Sequence, residues 1–368
     1  VALRLDDPGS AQNIYLESWA HPEVSAEQWR VVDDILERHR AKLTIGYVPG
    51  WLDDGDGRRG ELYVDGDKVE ERKPGKVYPS HRVDYFQKST GTWHRIREQV
   101  DYFRQARQLE FELHGHTHID ADVTAWLAAA DRFEKAGWYR EFRSVSGYPH
   151  RDRPAAEQEV LLDRSLALYR EVFGRDPTVL VPPGHQISAN TPAICVQKGL
   201  DMLSADHLRI RVDGRMLACR SICGVDLRRV GAAGMPAPEK GCSVGILHAR
   251  DIAELGPGWL DTLLAGLKNR GLEHVISLRQ LYDHMTGLPR VRWTPGQAQL
   301  ELTFEKVVVG EQVLDFWLVL PQGWELMLLP QGLERIGEDT MGQRILLRRS
   351  IAEAGEELHY TLRCRPIS

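Results

Sequence analysis

From residue 1 to about 287 the chain alternates short runs rich in apolar and β-branched residues with longer amphipathic stretches. The runs at 1–5, 43–48, 109–113, 179–181, 202–204, 244–247 and 274–278 are the length of buried strands. Between them, 26–39, 92–108, 155–173 and 257–268 repeat apolar residues at helical spacing, and Ser25 with Gln28 three residues on forms a capping-box signature at the start of the first. Strands alternating with helices imply parallel pairing, and seven or eight such units close most naturally into a barrel. The pattern therefore predicts an α/β fold, a distorted (β/α)7-8 barrel over residues 1–287.

Two insertions break the rhythm. Residues 53–87 are polar and charged, and Leu62-Tyr63-Val64 and Lys68-Val69 flank Asp65-Gly66, which reads as a hairpin. Placed after a barrel strand, this insertion is either a rim or lid over the site or a decoration without function. A second hairpin is expected at Asp213-Gly214. Beyond Leu288-Pro289 the pattern changes to β-prone stretches at 291–293, 298–304, 313–320, 325–329, 344–348 and 357–363, separated by turn residues. These predict a small antiparallel β-sandwich over residues 290–368. Trp317 and Trp324 there could hold sugar, but they lie in apolar runs that suit a core, and the domain is read as structural.

Composition narrows the function. In 368 residues, 42% are hydrophobic and 27% charged, which excludes disorder and leaves ample chain for a core without disulfides. A net charge of −6 without a basic stripe disfavours nucleic acid as partner. Apolar runs such as 316–320 are far too short to span a bilayer, so no transmembrane segment is expected. Val1 opens the chain without an initiator Met, which leaves the compartment open between cytoplasm and export with removal of a leader. The five cysteines, Cys195, Cys219, Cys223, Cys242 and Cys364, are irregularly spaced and read as free thiols.

Three strand ends carry reactive residues, and barrel strands present such groups at their C-terminal ends. Asp6-Asp7-Pro8-Gly9 follows the first strand. Paired carboxylates there conflict electrostatically unless a cation relieves them or the turn lies in solvent. His114-Gly115-His116-Thr117-His118 follows the third strand and places three imidazoles, common ligands of borderline cations, within five residues. His114 and His118, four apart, form the preferred ligand pair, with His116 as an orienting or substrate group; a cluster of hydrogen-bonded structural histidines is the alternative. His248 ends the strand at 244–247. Pro182-Pro183-Gly184-His185 makes a rigid turn at another strand end, with Pro183 and His185 as cleft wall, and Asp206 after the strand at 202–204 is a candidate carboxylate for orienting a metal-ligating side chain.

This order of motifs resembles the polysaccharide deacetylase family, also called carbohydrate esterase family 4, whose members share a distorted β/α barrel. The resemblance covers roughly residues 1–287. It implies Asp6 as catalytic base, Asp7, His114 and His118 as metal ligands, and His248, within Leu247-His248, as general acid. The family's third motif usually carries an Arg ahead of its prolines; here Leu180-Val181 stand in that place, and Arg4, two residues before Asp6 on the same strand face, is the substitute candidate. Pro8 replaces the more usual Gly of the first motif, which points to a divergent branch acting on something other than chitin or peptidoglycan. The implied activity is metal-dependent removal of an N-acetyl group from an amino sugar or polysaccharide. One divalent cation is implied, zinc favoured by two imidazoles, with cobalt, nickel, manganese or iron compatible. Two rival readings stand beside it, an amidase or cyclic-imide hydrolase on a small molecule and an inactive glycan-binding protein. Trp19, Trp51 and Trp259 are candidate sugar-stacking aromatics.

Overall fold

The structure, a computed structural model, describes residues 1–16, 19–119, 141–142, 153–188, 190–200, 202–204, 209–211, 220–221, 224–236, 243–284, 289–304, 310–320, 323–339, 342–351 and 357–367. Its centre is an eight-stranded parallel sheet: β1 Ala2–Asp6, β2 Leu43–Tyr47, β3 Leu109–Leu113, β4 Val179–Leu180, β5 Met202–Leu203, β6 Arg220–Ser221, β7 Gly224–Asp226 and β8 Val244–His248. The spatial order is β6-β5-β4-β3-β2-β1-β8-β7. The edge strands β6 and β7 are consecutive in sequence, and the three Cα steps from Ser221 to Gly224 reach about 11 Å at most, so the sheet is curled until its edges face each other. Among the described residues no ladder joins β6 to β7.

Helices cover the outside as the pattern requires. Ala26–His39 carries the expected capping box between Ser25 and Gln28 and ends on Arg40 in the left-handed region; it buries Trp29, Val32, Ile35 and Leu36. Ala155–Phe173 is stopped by Gly174 in the left-handed conformation. Pro257–Asn269 follows a short helix, Ala249–Leu255, that starts directly from β8. Every residue of β1 and β2 is buried, as expected of parallel strands covered on both faces.

Two expected elements differ. Residues 274–278 contribute only a single bridge, Ala2 to Ile276, because Ser277 caps the helix Leu278–His284: its Oγ accepts the Gln280 N–H at 3.2 Å while Gln280 Oε1 accepts the Ser277 N–H at 3.1 Å. The expected helix over 92–108 is split. Thr92–His94 pairs as a strand with Val83–Gln87, and only Ile96–Phe103 is α-helical. The cross-strand pairing of Trp93 with Phe86 draws this segment into the insertion's sheet.

The insertion itself contains the expected hairpin, Gly60–Val64 against Asp67–Lys68, with Asp65 and Gly66 both at positive φ. It extends to a four-stranded antiparallel sheet with Val83–Gln87 and Thr92–His94. Buried Asp53 and Asp54 share Arg72, and Asp54 also holds Arg59 at 2.8 Å, a paired cluster that pins the insertion.

The C-terminal region forms two four-stranded sheets. One, in the order Pro289–Thr294, Gln299–Phe304, Leu358–Pro366, Trp324–Leu328, is antiparallel throughout. The other joins Gly310–Val319, Gly342–Ile351 and Leu333–Asp339, but also takes Arg209–Arg211, which pairs parallel to Gly310–Val319. An antiparallel unit confined to 290–368 is thus corrected: a strand from the loop after β5 completes one sheet. The expected hairpin at Asp213-Gly214 lies outside the described residues. Trp324 packs edge-on to Trp293 at 4.9 Å. No helix among the described residues is long and apolar enough to cross a membrane.

Candidate active site

Strand register assembles the site. In the β1–β8 ladder Asp6 stands opposite His248, so two residues 242 positions apart in sequence become neighbours at one end of the barrel. Next to β1, the β2–β3 ladder runs out at Tyr47 and Leu113, and the His114 N–H donates to the Tyr47 carbonyl at 2.9 Å, placing His114 immediately past the strand end. Here β4 adds its own end, where the Val181 carbonyl accepts His114 Nδ1–H at 2.7 Å. That bond commits Nδ1 as donor and leaves Nε2 turned toward the site.

Asp7 Oδ1 lies 3.0 Å from His114 Nε2 and 2.9 Å from His118 Nε2, and the three ligand-capable atoms fall within 4.8 Å of one another. Ligands at ~2.1 Å around a tetrahedral cation stand ~3.4 Å apart; the two Asp–His separations here are hydrogen-bond distances somewhat shorter than that, so the three donor atoms are already gathered about one point. All three residues are buried. Burial alone raises the Asp7 carboxyl, yet His118 and His114 hold it well below the ordinary carboxylate range. His114 is displaced upward because Asp6 and Asp7 outweigh the effect of burial. Two buried carboxylates thus draw positive charge into the cluster, and a divalent cation satisfies that demand with neutral imidazoles as donors. The donor set fits a metal ion.

The backbone is shaped to this purpose. Asp7 and His118 both sit at positive φ, 71° and 70°, a conformation that non-glycine residues adopt at a cost. A residue invisible to sequence reasoning stabilises the second of these. The Glu141 carboxylate, 1% exposed, accepts the backbone N–H groups of His116 (2.7 Å), Thr117 and His118 (3.1 Å) and the Thr117 hydroxyl (2.9 Å). Gly115 at φ 70° lets this happen: a Cβ there would lie 2.2 Å from Glu141 Oε2 and 2.5 Å from Pro183 Cγ. Pro183 therefore packs behind the histidine loop, while its neighbour Gly184 lines the cavity.

Asp6 is held by Arg4. The fully buried guanidinium lies 3.1 Å from Asp6 Oδ2, donates to the Ser204 carbonyl at 2.7 Å and to the Ser204 hydroxyl, and meets His185 Nδ1 at 2.7 Å. Burial raises the Asp6 carboxyl, but Arg4, His114 and His248 bring it below its ordinary value. His185 is pushed down to about 3 by burial and by Arg4, so it faces the guanidinium as a neutral acceptor. Asp6 Oδ1 has no hydrogen-bond partner among the described residues and faces Gly46, whose Cβ would come within 3.2 Å. His248 stands at the N-cap of Ala249–Leu255: its backbone N–H donates to Asp251 Oδ2 at 2.8 Å, and Trp19 stands edge-on to its ring at 5.3 Å.

Asp6, Asp7, His114, His118, His185 and His248 line one cavity of about 120 Å³, together with Gln12, Trp19 and Gly184. His116 is not among them; its ring is buried toward the helix Ala155–Phe173, with Nδ1 3.2 Å from Ser165 Oγ. Asp206 lies outside the described residues. Trp51 is buried in an aromatic cluster with Tyr15 and Tyr85, and Trp259 packs against the core, so of the three candidate tryptophans only Trp19 reaches the cavity. None of the described residues of the 53–87 insertion lines it. Glu141 and Gln12 have no sequence signal, since each matters through a neighbour brought by the fold.

No protein-family model and no curated protein matches the chain. Solved structures similar to it include a protein of Mycobacterium smegmatis assigned as a polysaccharide deacetylase, at 14% identity and TM-score 0.43 over 77% of this chain and 89% of that one. A family 4 acetyl xylan esterase from Clostridium thermocellum, solved with a cobalt ion, matches at 16% identity and TM-score 0.35 over 76% of this chain and 89% of that one. A CE4 family pseudoenzyme from Bacillus anthracis matches at 12% identity and TM-score 0.37 over 76% of this chain and 64% of that one.

Proposed function

We propose that this chain is a metal-dependent deacetylase that hydrolyses an N-acetyl group on an amino sugar or polysaccharide. The observation that carries the reading is the convergence of Asp7 Oδ1, His114 Nε2 and His118 Nε2 beside a carboxylate, Asp6, whose Oδ1 is left free. Asp7, His114 and His118 would hold the cation, which when bound supplies Lewis acidity toward water and the acyl oxygen. Asp6 Oδ1 takes the proton of the attacking water, while Arg4 on Oδ2 keeps the carboxylate ionised and aimed. His248, in register with Asp6 across the ladder, delivers a proton to the leaving nitrogen. The products are acetate and a free amine.

The size and walls of the cavity bear on the substrate. About 120 Å³ is well below the 300–1,000 Å³ of sites that enclose a whole small molecule, so the acyl group enters and the rest of the substrate stays outside. An amidase for small cyclic substrates requires an enclosing lid, and the 53–87 insertion does not line the cavity. A glycan presenting acetamido groups suits the geometry better. The test is elemental analysis of wild type and the His114→Ala/His118→Ala double variant, both shown to be folded, with acetate release from a panel of N-acetylated glycans. About one transition-metal ion per chain in wild type, lost in the variant, together with acetate release, supports the reading. Absence of metal even after incubation with zinc refutes it and favours a binding protein.

A further inference from the structure

We infer that Gln12 selects amides over esters by accepting the N–H of the scissile acetamide, an inference that rests on the deacetylase reading above. Gln12 opens the short helix Gln12–Tyr15, five residues after Asp7, and is 3% exposed where it borders the cavity. Its Oε1 has no hydrogen-bond partner among the described residues. The other polar side chains of the cavity have assigned work, apart from Trp19, whose Nε1–H is a buried donor that also has no partner among the described residues and cannot take the place of an acceptor. Asp7, His114 and His118 form the ligand cluster, Asp6 is the base held by Arg4, His185 accepts from Arg4, and His248 faces the leaving group. Gln12 Oε1 remains as a buried acceptor in need of a donor, and buried polar groups are rarely left in that state.

The substrate supplies one. A cavity of about 120 Å³ takes an acetyl group and the atom it is bonded to, and in an acetamide the only donor on that fragment is the N–H. As water adds to the acyl carbon and the C–N bond breaks, the nitrogen keeps this hydrogen on Gln12 while its lone pair takes the proton from His248. The two contacts are compatible because they use different positions on the same nitrogen. An ester oxygen carries lone pairs instead, so it leaves Oε1 unpaired and faces it with like charge.

The test uses metal-loaded protein with 4-nitroacetanilide and 4-nitrophenyl acetate, which share the acetyl and aryl groups and differ at the scissile atom. Wild type is compared with Gln12→Met and, in case the longer apolar chain does not fit, Gln12→Ala. Each is checked for metal content and melting temperature. The expected result is a fall of about ten- to a hundredfold in the amide-to-ester ratio of kcat/KM in either variant. A ratio within twofold of wild type in folded, metal-loaded variants overturns the role of Gln12 and leaves the deacetylase reading standing. Wild type that holds metal yet cleaves neither compound and releases no acetate from N-acetylated glycans overturns both.

Discussion

Replacing Glu141 by Gln tests whether a residue outside the histidine motif determines the candidate metal site. The carboxylate faces four donors: the His116 N–H on Oε2, and on Oε1 the Thr117 and His118 N–H groups with the Thr117 hydroxyl, whose single proton is shared with the Ile119 carbonyl at the same distance. A Gln side chain offers one oxygen. Its best orientation places that oxygen toward the three donors and its NH2 against the His116 N–H, donor facing donor, at a position 1% exposed where water offers no relief. One buried N–H left unsatisfied costs about 1–3 kcal/mol, and exchanging three bonds to a charged acceptor for three to a neutral one costs somewhat less than 1 kcal/mol each. The sum is about 3–5 kcal/mol, comparable with breaking a buried ion pair on one side. The loss falls on a loop that holds His118 at φ 70°, so ligand placement suffers with stability. Urea denaturation of the metal-free proteins measures the first effect, and competition with a chelator measures the second. A metal affinity weakened about 10–100-fold is expected. Glu141→Gln with wild-type midpoint and wild-type affinity would refute the argument that this carboxylate shapes the histidine loop.

Further expectations follow from the same geometry. Asp6→Asn keeps metal stoichiometry and lowers the rate of acetate release by about 10²–10⁴-fold, since Asn retains the shape but not the base; unchanged turnover removes Asp6 from the reaction. Gly115→Ala adds a Cβ within 2.5 Å of Glu141 and Pro183 at a positive φ, so both metal content and melting temperature should fall together, and a stable variant with full metal content would contradict the packing described. Glu112 is pushed up to about 7 by burial, although its Oε2 accepts the Thr178 and Val179 N–H groups. A pKa raised from 4.5 means that the folded state binds the proton more tightly: this contribution is full below about pH 4.5 and is lost as pH rises through 7. Glu112→Gln should therefore have a flatter stability profile than wild type between pH 5 and 8.5, the difference reaching at most about 3 kcal/mol, and parallel profiles would show that Glu112 does not titrate there.

Much of this protein was legible locally. The helix over 155–173 and the capping box at Ser25 and Gln28 emerge as read, because helical periodicity and capping depend on residues three or four apart. The Asp65-Gly66 hairpin follows from the same kind of short-range rule. Where local signals competed, tertiary context won: 92–94 joined a sheet edge and 278–284 became helical behind the Ser277 cap. The Asp and His motifs could be read as strand-end chemistry, yet only register sets Asp6 opposite His248 and brings Asp7 Oδ1 to His114 and His118. Arg4 shows the division most clearly. Its spacing from Asp6 put both on one strand face, but that it would be buried against Ser204 and His185, 200 and 181 residues away, is decided by the curl of the sheet. Glu141 and Gln12 mark the limit. A carboxylate and a carboxamide look alike in any sequence whether solvated or buried, and their chemistry here comes from what surrounds them: three backbone N–H groups and a hydroxyl around one, and for the other a place in the cavity wall with an Oε1 that meets no donor among the described residues. Side-chain type and short-range spacing are written in the chain, whereas desolvation and long-range partnership exist only once the sheet has curled and packed around them.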